Sequence, residues 1–471
     1  MVRGAKPSVG KLRSAKPPKL MSAQRKNPSA ETGTAARIEN NGSKCNGKVK
    51  FDFCNRCSLY GIALVAAEIY DSDFCLHGPH GCMQSVQEAY AVQNREYDYH
   101  QTGMTHKETI FGGENLLTTT LVEALHPYEK AGPKFVVTSC APEIIGDDSD
   151  KIYNLINEQL PVVKVGGGFQ GNHYWGINQS LLALVKKFAD PYPFRDPTLV
   201  NLIANVGLSR QWRGDVWELK RCLDQLGIQT NIIVCNNVLD DLKLISNAAL
   251  TILANPEIGE LAAQYLRDAF DIPYVCSPLG LPLGLRGTEE WLRQVAEVLE
   301  IDKKRTDEVL LQEEGDVRLK LKIGLCNMVF TEKVTVSKKI PVAIIAEEIV
   351  AYSWARFVYE EMEMLPVLLG LTTISDLNKT PELKTWMESS NLQCKILNQP
   401  DQDELRKAFH ETQPEFIIGS SLNKEIGEQL GINGFLHIAY PNYDYVTINE
   451  HPFLGYKGLL HASESILNAL D

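Results

Sequence analysis

Short apolar runs separated by stretches of helical spacing constrain this chain more than any other feature. "GPKFVVTSC" (132–140) is an apolar run ending at a loop, and "NLIANVGL" (201–208) is another. "VWELKRCLDQLGI" (216–228) has helical spacing and leads into "TNIIVC" (230–235). "ALTILAN" (249–255) precedes the helical "IGELAAQYLRDAF" (258–270) and the extended "IPYVCSP" (272–278). The same alternation returns in "KIPVAIIAE" (339–347), "IVAYSWARFVYEEM" (349–362), "LPVLLGLTT" (365–373), "PEFIIGSS" (414–421) and "GFLHIAYP" (434–441). Strands that are apolar throughout, rather than at every second residue, are buried on both faces. The expected fold is therefore α/β, with a doubly wound parallel sheet repeated as three Rossmann-like domains.

At 471 residues the chain is too long for one hydrophobic core. Breaks near "DPYPFRDP" (190–197) and across 302–338 divide it. They set domain I at 51–195, domain II at 196–320 and domain III at 321–471, behind an arm at 1–50. The second break contains "DKKRTDEVLLQEEGDVRLKLKI", which reads as a solvated connecting helix.

Charge separates the arm from the body. Residues 1–50 hold 12 Lys and Arg against 2 acids, so the remaining 421 residues carry −22 within a chain of net charge −12. An acidic body does not suit nucleic acid, which needs a basic face. The arm, rich in Lys, Pro, Ser and Ala, has too little apolar surface to fold and is expected to be disordered. A solvated arm is its plainest role; docking on an acidic partner and part of a transit sequence are alternatives. No run approaches the length of a membrane helix, and the N-terminus has no apolar signal core. A cytoplasmic protein is expected, with no membrane partner.

The eleven cysteines are odd in number, and a disulfide framework is not expected in such a chain. Several gather in "FCNRCSLYG" (Cys54, Cys57), "FCLHGPHGC" (Cys75, Cys82) and "TSCAPEIIGDD" (Cys140). A zinc site would pair Cys54 and Cys57 with Cys82, His77 or His80. A thioredoxin-type Cys-x-x-Cys would need a preceding strand, and the arm stands there instead. An iron–sulfur site explains more, because thiolates hold such clusters and the small residues Gly78 and Gly81 let backbone N–H groups approach the sulfides. Three cysteines on three loops would cover half of a cluster, leaving the rest to a second subunit. His77 and His80 are expected to shape the loop through backbone carbonyls, and Asp147 and Asp148 to cap a helix. Cys222, Cys235, Cys276, Cys326 and Cys394 lie in apolar runs and read as core thiols. "GGGFQGN" (166–172) lacks the spacing of a nucleotide loop, so any ATP chemistry belongs to a partner.

These motifs together resemble component 1 of nitrogenase and the nitrogenase-like reductases. "HGPHGC" is similar to that family's His-Gly-x-x-Gly-Cys loop, and "TSCAPEIIGDD" to its Thr-x-Cys-x-x-Glu-x-Ile-Gly-Asp-Asp segment. "ETIFGGENL" (108–116), "GFQGNHYWG" (168–176), "IAYPNYD" and "LGYKGLL" extend the resemblance from about residue 51 to 471. It implies that Cys57, Cys82 and Cys140 ligate an interface cluster, with Cys54 a possible extra ligand. The cluster would be an [8Fe-7S] P-type centre shared with an α-type subunit, or alternatively [4Fe-4S]. The family's serine near this cluster has no clear counterpart; Gly168 and Asn172 occupy its neighbourhood.

The α-type subunit of the family carries a catalytic cofactor on one cysteine and one histidine. The matching slots here fall at about Asn255 and Pro256 and at Leu454, none of which ligates metal. The resemblance therefore implies a β-type subunit with no catalytic cofactor of its own. It would sit in an α2β2 heterotetramer and receive electrons from an ATP-dependent iron protein. "FDFCNRCSLYG" departs from the nitrogenase β approach to the first cysteine, Asn-Pro-x-x-x-Cys-x-Pro-x-Gly. That favours a nitrogenase-like reductase, with methylthio-alkane reductase the expected activity. A nitrogenase β subunit and a cofactor-assembly scaffold are the alternatives.

Overall fold

The computed structural model describes residues 56–470, apart from 96–98, 125–131, 148–152, 154–160, 169–170, 192–194, 208, 327–338, 376 and 391. The basic arm, Cys54 and Asp148 lie outside the described residues.

Thirteen strands among the described residues form three sheets, parallel throughout. The first contains β1 (Asp73–His77), β2 (Tyr99–Gln101), β3 (Lys134–Thr138) and β4 (Val162–Gly166), in the order β2-β1-β3-β4. The second contains β5 (Asp196–Ile203), β6 (Gln229–Ile233), β7 (Ala248–Leu253) and β8 (Tyr274–Cys276), in the order β6-β5-β7-β8. The third contains β9 (Pro341–Ala346), β10 (Leu365–Leu371), β11 (Lys395–Asn398), β12 (Phe416–Gly419) and β13 (Gly434–His437), in the order β11-β10-β9-β12-β13. Each sheet is doubly wound, as the apolar runs implied. The strand order reverses between β1 and β3, between β5 and β7, and between β9 and β12. Ligands of such sheets gather at the carboxyl ends of strands beside that reversal.

Central strands are buried along their whole length because helices cover both faces. One hydrophobic core runs from Leu59 through Val200, Trp291 and Ile344 to Ile466 and so joins all three sheets. The charged stretch after residue 302 is a helix, Lys303–Cys326. It is not simply solvated: Leu310 and Val317 are buried, and Glu313 pairs with Arg221 at 2.7 Å.

Two helices fix the site. In the helix Ser58–Ala67, "SLYGIALVAA", all ten residues are buried. It crosses the helix His173–Phe188 through two glycines. A Cβ on Gly61 would lie 1.9 Å from the His173 carbonyl oxygen, and one on Gly176 would lie 2.1 Å from the Ser58 carbonyl oxygen. Only hydrogen at both positions lets the backbones approach so closely.

Candidate metal centre

The three cysteines lie where the first sheet reverses its strand order. β1 ends at His77, and the chain passes through Gly78 and Pro79 into a short 3-10 turn, His80–Cys82. β3 ends at Thr138, and Ser139 then precedes the helix Cys140–Ile145. Cys57 arrives from outside the sheet as the residue before the helix Ser58–Ala67, and it pairs as an antiparallel bridge with Asn172. The Asn172 side chain caps the second helix by accepting from the Trp175 amide at 3.1 Å. The glycine crossing thus carries Cys57 to the two strand ends.

Burial raises the pKa of the Cys82 thiol, and the nearby Cys140 and Cys57 sulfurs raise it further, so the three thiols share one electrostatic neighbourhood. The Ser139 hydroxyl beside Cys82 acts the other way, favouring the thiolate. That hydroxyl is fully buried and has no hydrogen-bond partner at ordinary length. Cys57 is exposed, and its sulfur faces the Ser85 hydroxyl at 3.7 Å. Neither serine stood out in the sequence. "TSC" could have pointed to Ser139, whereas Ser85 carries no local signal.

The glycines differ in what they do. Gly168 has φ +87°, and a Cβ there would lie 3.0 Å from the Cys140 sulfur. Ser58 holds this glycine by donating to its carbonyl at 2.8 Å. Gly78 packs on Ser139: a Cβ would fall 2.0 Å from its hydroxyl. Around Gly81 no atom lies within 4 Å of the Cβ position, so that side of Cys82 is open. Three thiols, a buried serine hydroxyl beside one of them and a bare Gly168 suit a bulky sulfide-bearing group better than a single ion. Among the described residues, no three His, Cys, Asp or Glu are grouped as a mononuclear metal site.

The neighbouring histidines have other work. His77 is fully buried, with Nδ1 3.1 Å from the Thr102 hydroxyl and Nε2 3.1 Å from Asp147 Oδ2. Its partners are side chains, not the backbone carbonyls expected. Burial lowers its pKa against the pull of Asp147. Asp147 also accepts the Gly113 amide at 2.9 Å, at the start of the helix Glu114–Ala124. His80 is exposed beside the Gln101 side chain. Cys75 is interior on β1, and burial pushes its thiol up to about 12. Cys222 and Cys235 are buried core thiols, while Cys276 and Cys394 are half-buried.

Beside Cys57 lies a charged and aromatic group. Arg56 pairs with Glu88 at 2.6 Å and donates to the Tyr440 and Tyr443 hydroxyls at 3.3 and 3.1 Å. Tyr440 donates to the same Glu88 carboxylate. The slots corresponding to the catalytic cofactor lie elsewhere. Leu454 lines a cavity of about 30 Å³ with Tyr174, Asn205, Asp215, Glu347 and Phe453, room for a water molecule or two. Asn255 is fully buried beside Asn205 at 3.4 Å. Among the described residues, no helix is long and apolar enough to cross a membrane.

Residues 57–471 match the family described as Nitrogenase component 1 type Oxidoreductase. The beta chain of the nitrogenase iron-iron protein from Rhodobacter capsulatus is 25% identical over 448 residues, covering 88% of this chain and 92% of that one. A chain of the light-independent protochlorophyllide reductase from Jannaschia sp. is 23% identical, covering 84% of this chain and 73% of that one. Among solved structures, nitrogenase Cp1 at pH 6.5 superposes with a TM-score of 0.75 at 17% identity, over 90% of this chain and 93% of that one. The chain belongs to the nitrogenase component 1 family of oxidoreductases.

Proposed function

We propose that this family member is the β-type subunit of a nitrogenase-like reductase, holding half of an interface iron–sulfur cluster. Cys57, Cys82 and Cys140 hold it, and the α-type subunit supplies the other ligands in an α2β2 complex. The observation that carries this reading is the meeting of three thiols at one strand-order reversal, with the Gly81 side open and Cys57 exposed. A cluster bound there supplies one-electron transfer between an ATP-driven iron protein and the α-type subunit's cofactor. Its nuclearity on this reading is [8Fe-7S].

This chain's own residues do the rest. Ser139 favours the Cys82 thiolate, and Gly168 keeps side chains away from Cys140. The short helices His106–Phe111 and Cys140–Ile145 pack together and expose Ile110, Phe111 and Ile144 to solvent. An apolar surface beside a redox centre suits docking of the iron protein. The water-sized cavity at Leu454 supports placing the catalytic cofactor in the other subunit.

The reaction assigned to the complex is reductive cleavage of a carbon–sulfur bond in small methyl thioethers. It rests on the departure of "FDFCNRCSLYG" from the nitrogenase β pattern. The test is anaerobic purification of the complex through a tag on this chain. Iron with matching labile sulfide and a second subunit are expected; zinc, or no metal and no partner, would end the cluster reading. With the iron protein and ATP, a dialkyl sulfide should then take two electrons and two protons to give a thiol and an alkane. Ammonia from dinitrogen would identify a nitrogenase instead, and cluster without turnover an assembly scaffold.

A further inference from the structure

We infer that Tyr60, Tyr440 and Tyr443 form a path that carries oxidising equivalents from the cysteine site to the protein surface, with Glu88 as the proton acceptor. The inference rests on the cluster reading above, but it concerns side chains which that reading leaves unused.

The three rings form a continuous file. Tyr60 and Tyr440 have ring centroids 5.4 Å apart, and Tyr440 and Tyr443 have theirs 6.3 Å apart. Both separations lie within the roughly 4.5–7 Å at which aromatic rings are in contact. At the inner end, the Tyr60 amide donates to the Cys57 carbonyl at 3.1 Å, so a single hydrogen bond links the first ring's residue to a cluster cysteine. At the outer end, Tyr443 is 66% exposed. The path therefore runs from buried to wet over three residues.

The proton decides where a radical can rest. A phenol gives up an electron readily only if its proton can leave at the same time. The Tyr60 hydroxyl is buried and has no hydrogen-bond partner at ordinary length to take its proton. Tyr60 thus passes an electron without keeping the radical. Tyr440 donates to the Glu88 carboxylate, and Arg56 pairs with the same carboxylate oxygen. Tyr440 can lose its electron towards the cysteine site while its proton moves to Glu88.

The step balances with a one-electron oxidant, here the thiolate-held iron after contact with dioxygen. Tyr440 loses one electron to it and one proton to Glu88, leaving a neutral phenoxyl radical and a carboxylic acid. Tyr443 then returns the electron and releases its own proton to water, while Glu88 returns the proton to Tyr440. A thiol in solution quenches the Tyr443 radical by giving up one hydrogen atom, and itself becomes a thiyl radical. The cysteines are spared the oxidation they would otherwise suffer.

The test uses the anaerobically purified complex, with iron and sulfide measured first. A brief, substoichiometric dose of dioxygen followed by freezing should give a tyrosyl radical by electron paramagnetic resonance. Tyr440→Phe should lose that signal and lose its iron faster under continued oxygen, from an equal starting content. Tyr443→Phe, altered only at the surface, should trap the radical one residue further in and keep its fold. A radical of undiminished yield in Tyr440→Phe, or iron loss at the unaltered rate in both variants, would overturn the path. Absence of iron from the unaltered complex would overturn the cluster itself, and the path with it.

Discussion

The hydrogen on Gly61 faces the carbonyl of His173 so closely that a Cβ in its place would lie 1.9 Å from that oxygen. The oxygen belongs to a helix backbone and cannot step aside. Gly61→Ala should therefore part the helices Ser58–Ala67 and His173–Phe188, and cost about 2–3 kcal/mol as overpacking does. Gly315→Ala is the contrast, since its Cβ meets nothing within 4 Å on the exposed face of the helix Lys303–Cys326. It should gain about 0.5–1 kcal/mol from helix propensity. Urea unfolding of both variants checks the pair; equal stabilities would mean that the crossing is not rigid.

Much of the fold was legible because fully buried parallel strands need unbroken apolar runs. β3, β7, β9 and β12 announce themselves in this way, and Cys140 was legible as the residue following one of them. β1 was not: "DFCLH" begins and ends on ionisable groups, yet all five residues are buried. Asp73 is satisfied by Lys134, and His77 by Thr102 and Asp147, partners 25 to 70 residues distant. β2 and β11, of three and four residues, are sheet edges whose side chains are only partly covered, so no apolar run marks them. Ser139, Ser85 and the crossing glycines act through contacts made only after folding, which no local pattern encodes.

The cysteines should separate into two classes on substitution. Cys82→Ala and Cys140→Ala remove thiols at the strand-order reversal and should abolish iron binding. Cys222→Ala empties a buried core position and should cost about 1–2 kcal/mol, on the scale of small core truncations, with iron retained. Iron content and visible absorption against thermal stability distinguish the classes. Retained iron in both site variants would refute these ligands.

Asp147 joins three segments: its Oδ2 meets His77 Nε2 at 3.1 Å and the Gly113 amide at 2.9 Å. Asp147→Ala leaves a buried ring nitrogen and a backbone N–H unpaired, a loss of about 1–3 kcal/mol. The loss should be local, because Gly112 and Gly113 connect the exposed helix His106–Phe111 to the rest. Limited proteolysis should cut between residues 104 and 113 faster than in the unaltered chain, while Asp147→Asn, which keeps an acceptor oxygen, should lie between the two. Identical cleavage in all three would show that Gly112 and Gly113 are held by other contacts.

Asp215 gives the chain a pH dependence of unusual sign. Its carboxylate is buried, accepts the Phe453 and Leu454 amides, and feels the nearby negative charge of Glu218; burial is the largest effect and pushes its pKa up to about 7. Glu257 is raised to about 7, also by burial first, with Glu347 and Glu348 adding to it and Ser375 and Lys379 opposing. A carboxylate that holds its proton more tightly folded than unfolded makes the folded state bind more protons across the window from about 4 to 7. Stability from these groups therefore falls as pH rises through that window, opposite to the usual salt-bridged carboxylate. Asp215→Asn removes the charge and keeps an acceptor for the two amides. It should gain stability relative to the unaltered chain at pH 8, by on the order of 3–4 kcal/mol at most, and lose that advantage at pH 4.5. Denaturation midpoints at the two pH values measure the difference, and an advantage independent of pH would show that Asp215 does not titrate in this range.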